Sequence, residues 1–507
     1  MLQVRSPKLM NNRRKFVVAS ILLPLLAGGH GLAQTAAPPR PIAGNCEMQL
    51  GGPAIFCDTF DIKKDPTIQS RTGDLDPNVW GVSRTIGDVN LGQGQYNAAP
   101  STAIRSCDGT NVTVRPPNDV IICDGQLREA TNDNPANIYD AGGVTSLAMY
   151  PKQPFDFAGR TGTVAFDIAN DTHGFHAAWP EFWMSNLPTP VPFEHLDSWV
   201  SNPQHGFGMR FSAQVGPGQR GLCPNGKNLT KPRWTVNDIV VVRNYVYEDA
   251  YYNTVNGTPS TPPLKLHILD CVVSSPDNSG IMNHIEVRVS QSLIEVWASD
   301  AGTTALRKIA TATNANLSFT RGLIWLEDVH YNADKGESGS TVPSQRQHTF
   351  VWDNVAFDGP FTYRDFSYDA LDANQPGPAN NAWNLGKLSS PDQTSSWSVL
   401  YLPANPQAEV VRVLFNFHNE TNRPPTVLNV NVNGNVHSVP WPYPDQKTNT
   451  WRTFAVTVPT ADLVTGNNLV QIGSNEYQIT SNVNIVLVNV PGGVPVLPGS
   501  NNSYPIK

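Results

Sequence analysis

The chain has 507 residues, which is too long for a single hydrophobic core, so two or more domains are expected. With 43 prolines, 39 glycines and only 15% charged residues, the composition favours an all-β protein with many turns over a helical one. The net charge is −7, and beyond the first 33 residues the chain has no clusters of basic residues, which argues against binding to nucleic acid or to an anionic membrane.

The first 33 residues are typical of an export signal. The basic residues Arg13–Lys15 precede an apolar run over 16–26, and small residues lead to a suitable cleavage site after Ala33. The arginine pair loosely resembles a twin-arginine signal, although the general secretory route explains it equally well. The apolar run is too short to span a membrane. We therefore predict a secreted or periplasmic protein, whose net charge falls from −7 to −12 when five cationic residues are removed.

Six cysteines lie beyond the predicted signal peptide. An even number of cysteines in an exported protein indicates disulfide bonds rather than free thiols. Six cysteines allow fifteen connectivities, of which pairing of neighbours along the chain is the simplest, and the sequence does not choose among them. None has the spacing of a metal site such as Cys-x-x-Cys. The cysteines are Cys46, Cys57, Cys107, Cys123, Cys223 and Cys271.

The chain after the signal peptide divides into two sets of predicted strands. Residues 34–45 are a flexible leader, and more than ten short alternating segments over 46–360 predict a large two-sheet antiparallel jelly-roll sandwich. Its clearest hairpin joins the alternating segments 284–290 and 293–298. The rest is predicted as a turn-rich linker over 361–385, a smaller β-sandwich over 386–491 with a hairpin turn at Asn433-Gly434, and a flexible tail over 492–507.

The most informative stretch is 161–184. Val164, Phe166 and Ile168 alternate with smaller or polar residues, which predicts a half-buried strand. A second predicted strand over 177–184 places Trp179, Glu181 and Trp183 on one face, because side chains alternate across a strand. Flat apolar rings on either side of an acid are typical of a sugar-binding surface. A core strand with an edge glutamate is the alternative that this stretch leaves open.

With these residues, the first domain resembles the concanavalin A-like lectin/glucanase superfamily, in particular retaining β-glucanases of the laminarinase and licheninase type. The resemblance covers roughly residues 50–358 and implies a jelly roll whose concave sheet holds a glycan. The matching segments are a strand at 56–60 followed by 75–80, the Trp-Pro-x-Phe-Trp-Met segment at 179–184, the hairpin at 287–297 and the Trp-Asp-Asn-Val segment at 352–355.

The chain departs from that family at the catalytic motif. In the family, the strand after the Trp-Pro-x-Phe-Trp segment carries Glu-x-Asp-x-x-Glu, and retaining hydrolysis needs two carboxyl groups about 5–5.5 Å apart. The corresponding stretch here, 205–211, contains no acidic residue. The family's catalytic residues therefore have no counterpart in this sequence, and other groups must act if the domain cleaves a glycan.

Other residues are candidates for that role. We predict Glu181, Glu327 and His330 as catalytic residues, since a carboxyl pair supports hydrolysis and a histidine–tyrosine pair supports β-elimination from a uronic acid. Glu327 and Asp328 point to opposite faces, so at most one lines the cleft. The loop acids Glu194 and Asp197, and a histidine pair at 173 and 176, are more typical of solvated turns. As substrate contacts we predict Trp179, Trp183, Arg210 and Tyr331.

A structural calcium ion is the cofactor that the resemblance implies, and no organic cofactor is expected. In the family an ion often ties the first and last strands through backbone oxygens and an acid near the end. Asp61 and Asp353 stand where such ligands would be, and oxygen ligands suit calcium. Two ordinary turn or edge acids are the alternative.

The smaller domain resembles the galactose-binding-like sandwiches often appended to secreted carbohydrate enzymes. Its aromatic residues Trp441, Tyr443 and Trp451 are either sugar platforms or packing residues. The sequence therefore predicts a secreted protein that binds a polysaccharide or oligosaccharide and hydrolyses it. A non-catalytic lectin-like protein, a polysaccharide lyase using Tyr331 and His330, and an adhesive surface protein are the alternatives.

Overall fold

The computed structural model describes residues 50, 54–63, 72–76, 79–86, 103–105, 111–113, 118–132, 144–170, 178–186, 205–214, 233–243, 246–250, 264–274, 281–331, 347–360, 364–371, 387–389, 393–402, 408–419, 423, 425–441 and 451–490. Regular structure in these ranges is almost entirely β-strand, with a short 3-10 helix at Thr460–Asp462, which confirms the predicted all-β class. No helix of these ranges is long and apolar enough to cross a membrane.

In chain order the strands are β1 Phe56–Asp58, β2 Trp80–Ile86, β3 Ala103–Arg105, β4 Asn111–Thr113, β5 Asn118–Cys123, β6 Gln126–Asn132, β7 Val144–Pro151, β8 Phe155–Asp156, β9 Gly162–Asn170, β10 Ala178–Ser185, β11 His205–Gln214, β12 Arg233–Arg243, β13 Val246–Ala250, β14 Lys265–Ile268, β15 Val272–Val273, β16 Asn283–Val289, β17 Leu293–Ala298, β18 Arg307–Thr313, β19 Arg321–Tyr331, β20 Gln347–Phe357, β21 Arg364–Leu371, β22 Lys387–Ser389, β23 Ser395–Leu402, β24 Val410–Asn419, β25 Val427–Val432, β26 Asn435–Pro440, β27 Trp451–Val458, β28 Gly466–Ser474 and β29 Gln478–Val490.

Two antiparallel sheets build the large sandwich. The first sheet has the strand order β14-β18-β17-β16-β9-β20-β6-β5, with β1 added to β20. The second sheet has the order β13-β12-β11-β10-β19-β7-β2, with β15 on β12 and β8 on β19. Both orders combine pairs of consecutive strands, such as the predicted hairpin of β16 and β17, with pairs of strands that are far apart in the chain, such as β9 with β20 and β10 with β19.

The core of the large sandwich lies between the two sheets. Strand β9 contributes Val164, Phe166 and Ile168 from the first sheet, and β10 contributes Phe182 and Met184 from the second sheet. All five side chains are fully buried, because alternation sends one set of residues on each strand inward. The inward sets of the two sheets interlock as a sandwich core requires, which confirms the predicted two-sheet architecture.

A β-bulge in β12 keeps the apolar pattern of that strand in register with the core. Trp234 and Val236 of the core alternate, but the next residues of β12 in the same core are Ile239 and Val241, so the pattern slips by one residue. The pairing of β11 with β12 absorbs this slip, because the register shifts where Arg210 gives way to Phe211 on β11. An extra residue on one strand of a pair is what a bulge supplies.

A third antiparallel sheet forms the smaller sandwich. Its order is β26-β25-β28-β23-β21-β29-β24-β27, with β22 on β29, and one face of the sheet encloses a second core that includes Trp397, Phe415 and Ile485. The predicted turn at Asn433-Gly434 is confirmed, since both residues have positive φ, 51° and 98°, and join β25 to β26.

The range that we predicted as a linker contains a strand. Strand β21 lies inside the range 361–385 that we predicted as a linker, and it pairs with β29 and β23, so this part of the linker belongs to the third sheet.

None of the cysteines in the described ranges is a free thiol. Their connectivity stays a prediction, because Cys46, Cys107 and Cys223 lie outside the described residues.

Candidate functional site

The candidate site lies on the outer face of the second sheet, which is the face opposite the core. Strand β10 runs between β11 and β19 in this sheet. Since Phe182 and Met184 point into the core, alternation places Glu181 and Trp183 on the outer face. The backbone of Trp179 continues the same strand, but its side chain lies outside the described residues.

Strand pairing brings three charged residues into one line across this face, which we call the acidic row. Glu181 is directly opposite Arg210 of β11 on one side and directly opposite Glu327 of β19 on the other. Directly opposed residues of antiparallel strands have Cβ atoms about 4.5–5.5 Å apart. Asp328 instead pairs with Pro180 and belongs to the inward set, so the two acids lie on opposite faces.

Glu181 is held by two hydrogen bonds in a fully buried position. Its Oε1 accepts from Nε of Arg210 at 2.9 Å, and its Oε2 accepts from Nε1 of Trp183 at 2.9 Å. The exposed fraction is 0% for Glu181, 8% for Arg210 and 1% for Glu327. Burial raises the pKa of the Glu181 carboxyl, whereas the charge of Arg210 and the two hydrogen bonds oppose that shift. The carboxyl group is therefore fixed in one orientation.

An aromatic layer lies beside the acidic row on the same face. The rings of Trp183 and Trp325 are stacked with centroids 5.9 Å apart and planes at 16°. Tyr150 of β7 belongs to the same apolar cluster, and all three side chains are buried. A Cβ atom at Gly208 would come within 2.3 Å of the Trp183 ring. Glycine at this position therefore lets the indole lie flat against β11.

The burial of Trp183 differs from its predicted role as a sugar-stacking surface. Its side chain is only 1% exposed, because the ring is enclosed by β11 and by Trp325. In this structure Trp183 packs the sheet and donates to Glu181, and it presents no open ring face. Alternation along β10 gives the side of the sheet on which Trp183 lies, but it does not say whether that side is covered.

Trp325 is a residue that the sequence analysis did not single out. Its indole Nε1 is buried and has no hydrogen-bond acceptor among the described residues. A buried donor without an acceptor costs about 1–3 kcal/mol, so water or a ligand hydroxyl at this place would be stabilised. The signal was the Leu-Ile-Trp-Leu-Glu sequence of β19, which places Trp325 and Glu327 two residues apart on one face.

The remaining predicted residues are only partly described. His330 pairs with Ala178 and Thr145, and Tyr331 pairs with Val144, but the side chains of both lie outside the described residues. The same applies to the whole of the loop that contains Glu194 and Asp197, and to the histidines at 173 and 176.

The two predicted calcium ligands lie at the first and last strands of the large sandwich. Asp61 follows β1, which pairs with β20, and β20 carries Asp353. Burial, together with the nearby charges of Asp167, Asp61 and Asp58, raises the pKa of Asp353 to about 7, against the opposing effect of a hydrogen bond from the Asn354 N–H. No cluster of three metal-binding side chains occurs in the part of the chain that the structure describes.

No protein-family model matches the sequence, and no curated protein matches it either. Solved structures are similar at low identity. The VIP36 exoplasmic/lumenal domain in its Ca²⁺-bound form is 10% identical, with 58% of this chain and 92% of that chain covered and a TM-score of 0.29. A prokaryotic β-1,3-1,4-glucanase (lichenase) derived from a mouse hindgut metagenome is 13% identical, with 60% and 98% covered and a TM-score of 0.28.

A third similar structure is Rv0315 of Mycobacterium tuberculosis, described as an immunostimulatory antigen and pseudo β-1,3-glucanase. It is 13% identical, with 61% of this chain and 99% of that chain covered and a TM-score of 0.29. Lectin-like and β-glucanase structures are thus among those to which this chain is similar. At these identities and TM-scores no activity is transferred, and the galactose-binding-like resemblance of the smaller domain stays a prediction.

Proposed function

We propose that this chain is a secreted carbohydrate-active protein that cleaves a glycosidic bond between Glu181 and Glu327. The supporting observation is the register of β10 with β19, which sets the two glutamates directly opposite each other on the outer face of the second sheet. Their Cβ separation of about 4.5–5.5 Å is compatible with carboxyl groups at the spacing of about 5–5.5 Å that retaining hydrolysis needs.

The surroundings give the two carboxyl groups different roles. Arg210 offsets part of the burial that raises the pKa of Glu181, and on this ground we assign Glu181 the role of the carboxylate and Glu327 the role of the proton donor. Trp183 and Arg210 each use one acceptor position on Glu181, and a carboxylate has about four. An oxygen lone pair of Glu181 therefore remains for the substrate.

The proposed reaction has two steps. The Glu181 oxygen attacks the anomeric carbon while the glycosidic C–O bond breaks and Glu327 transfers its proton to the departing oxygen. In the second step Glu327, now a carboxylate, takes a proton from a water molecule. The water oxygen bonds to the anomeric carbon while the bond between that carbon and the Glu181 oxygen breaks, which releases the sugar. The product keeps the configuration of the substrate.

The test is release of reducing ends from β-glucans, galactans and uronic-acid polymers. We expect Glu181→Gln and Glu327→Gln each to lower the rate at least 100-fold, with thermal melting as the check on folding. Glu295→Gln is the matched control, because Glu295 also pairs with a cation, Lys308, and also accepts from a tryptophan, but on the first sheet. Activity that survives both site substitutions would contradict the proposal.

Binding without cleavage is the second candidate, and the burial of the acidic row favours it. Both Glu181 oxygens are engaged and the residue is 0% exposed, as a structural ion pair would be. If this second function is correct, we expect the protein to be retarded in affinity electrophoresis on a polysaccharide and to release no new reducing ends from it. Trp325→Phe removes the N–H without an acceptor while it keeps most of the ring, and it should weaken that binding. Absorbance of unsaturated products would instead indicate elimination by His330 and Tyr331.

We also propose a calcium ion near Asp61 and Asp353. The raised pKa of Asp353 reflects burial and nearby acids, and a divalent cation would offset both. Calcium titration should raise the melting temperature of the wild type but not of Asp353→Asn, with magnesium as the control. A wild-type melting temperature that calcium leaves unchanged would exclude this site.

A further inference from the structure

The outer face of the smaller sandwich carries a row of uncharged hydrogen-bonding groups on four adjacent strands, β26, β25, β28 and β23. We call this set the amide ladder. The pairing sets Asn431 opposite both Val436 and Gln471, and Gln471 opposite Ser396. The neighbouring line sets Asn429 opposite Ser438. The amide ladder consists of Ser396, Asn429, Asn431, Ser438 and Gln471.

Hydrogen bonds between these side chains fix their positions. Asn431 Nδ2 donates to Gln471 Oε1 at 3.1 Å, and Gln471 Nε2 donates to Ser396 Oγ at 3.3 Å. Ser438 Oγ donates to Asn429 Oδ1 at 2.7 Å. A side-chain amide has two N–H donors and two acceptor lone pairs, so these bonds use only part of the capacity of Asn431 and Gln471. Asn431 Oδ1 also accepts from the Gly434 N–H at 2.8 Å, so one N–H of Asn431 and one N–H of Gln471 remain for a ligand.

The face is neutral, and apolar groups flank the polar ones. Of the described outward positions on these four strands none is charged, whereas the outward face of β24 carries Arg412. Val436 is 61% exposed and Leu469 is 45% exposed, both at positions that share the face with the ladder. Tyr477, in the turn after β28, is 48% exposed. A charged ligand would therefore meet no residue of opposite charge at the described outward positions of these strands.

We propose that the amide ladder binds a neutral polysaccharide. Sugar hydroxyl groups both donate and accept, which matches side-chain amides and hydroxyls, and the C–H faces of a pyranose match the exposed Val436 and Leu469. Successive strands lie about 4.8 Å apart, so the groups of Asn431, Gln471 and Ser396 repeat at roughly the length of one sugar unit. This site is separate from Glu181 and Glu327 and does not rest on the reaction proposed there.

Trp441 is the one of the three earlier aromatic candidates on this domain whose side chain the structure describes. Trp441 packs against the second core with its ring 5.4 Å from Phe417, so it serves packing rather than sugar binding. The side chains of Tyr443 and Trp451 lie outside the described residues.

The test is affinity electrophoresis of the full-length protein in gels that contain hydroxyethylcellulose, xyloglucan, galactomannan or polygalacturonate. We expect retardation in a neutral polymer, and at least a 10-fold higher dissociation constant for the double variant Asn429→Ala/Gln471→Ala. Gln471→Glu should weaken binding as well, because it brings an unpaired charge to a neutral face. Thr457→Ala is the control, since Thr457 is an exposed polar residue on β27 of the same sheet.

The outcomes separate this proposal from the reaction at the second sheet. Glu181→Gln/Glu327→Gln should keep the retardation even if it abolishes product formation. The proposal is overturned if the wild type binds none of the neutral polymers, if it prefers polygalacturonate, or if the double variant binds as tightly as the wild type with unchanged thermal melting.

Discussion

The two outer faces of the large sandwich contain the same kinds of residue in opposite surroundings. On the first sheet, Trp297 lies between Arg288, 4.4 Å from the ring centroid, and Lys308 at 5.3 Å. These side chains are partly exposed. On the second sheet, Trp183, Glu181 and their partners are buried. The same combination of tryptophan, glutamate and a cation is thus partly exposed to solvent on the first sheet and buried on the second sheet.

The difference has an energetic meaning. Exposed ion pairs contribute roughly 0–1 kcal/mol, because water already stabilises the separate charges. Removing one partner of a buried pair costs about 3–5 kcal/mol, because the other charge stays desolvated. The acidic row should therefore be sensitive to substitution where the network around Trp297 is tolerant.

The largest effect is expected from Arg210→Met, which fills similar space but leaves Glu181 without its cation. We expect a loss of about 3–5 kcal/mol in the free energy of unfolding, measured by chemical denaturation. Adding Glu181→Gln to this variant should recover part of the loss, because it removes the buried carboxylate that has lost its cation. A loss below about 1 kcal/mol would place the pair in the same class as the exposed pairs of the first sheet.

The next effect is expected from Gly208→Ala. The new methyl group would come within 2.3 Å of the Trp183 ring, which is enclosed and cannot move away. Overpacking of this kind costs about 1–3 kcal/mol. Gly473→Ala is the control, because its methyl group meets the Thr394 Cγ2 atom at 2.8 Å and Thr394 is an exposed side chain free to rotate. Equal losses of unfolding free energy in the two variants would mean that the Trp183 ring moves aside as easily as an exposed threonine side chain, and would contradict the prediction.

A pH-dependent effect is expected from His284 on the first sheet. Burial opposes its protonation, but hydrogen bonds and charges of Asp167 and Glu286 outweigh burial and raise the pKa of His284 to about 9. The pKa is raised on folding, so this stabilisation is complete below about pH 6.5 and is lost as the pH rises through 9. His284→Gln should therefore be less stable than the wild type at pH 6, and the gap should close by pH 10. A gap that stays constant over this range would contradict the shifted pKa.

The smallest effect is expected from Lys308→Met, which removes a cation from Glu295 and from the ring of Trp297. Since the group is near the surface, the change should stay within about 1 kcal/mol and should shrink in high salt. Denaturation at two salt concentrations measures both. A loss as large as that of Arg210→Met would remove the contrast between the two faces.

Local patterns predicted some elements of this fold and missed others, such as β18 and β29. The hairpin of β16 and β17 and the turn at Asn433-Gly434 are confirmed, because alternation and turn chemistry are local signals. Strand β21 was missed, because its neighbourhood is rich in turn residues and its partners lie far along the chain. A strand whose stability comes from distant pairing leaves a weak trace in its own sequence.

The candidate site shows the same limit. Alternation correctly separated Glu327 from Asp328, but the pairing of Glu181 with Glu327 joins residues far apart in the chain, and no local pattern encodes that register. Arg210 was noted as a substrate contact, whereas the structure makes it the cation of Glu181. Whether an outward face is covered depends on what packs on it, so the burial of Trp183 was beyond the reach of periodicity.

The stacked indoles of Trp183 and Trp325 also give the protein a built-in optical reporter. Two transition dipoles with ring centroids 5.9 Å apart couple strongly, and such coupling produces a paired positive and negative band in circular dichroism. The amplitude depends steeply on separation and angle, so any event that opens the outer face of the second sheet would change this band without a dye or label. Replacement of either indole by phenylalanine identifies the signal by abolishing it.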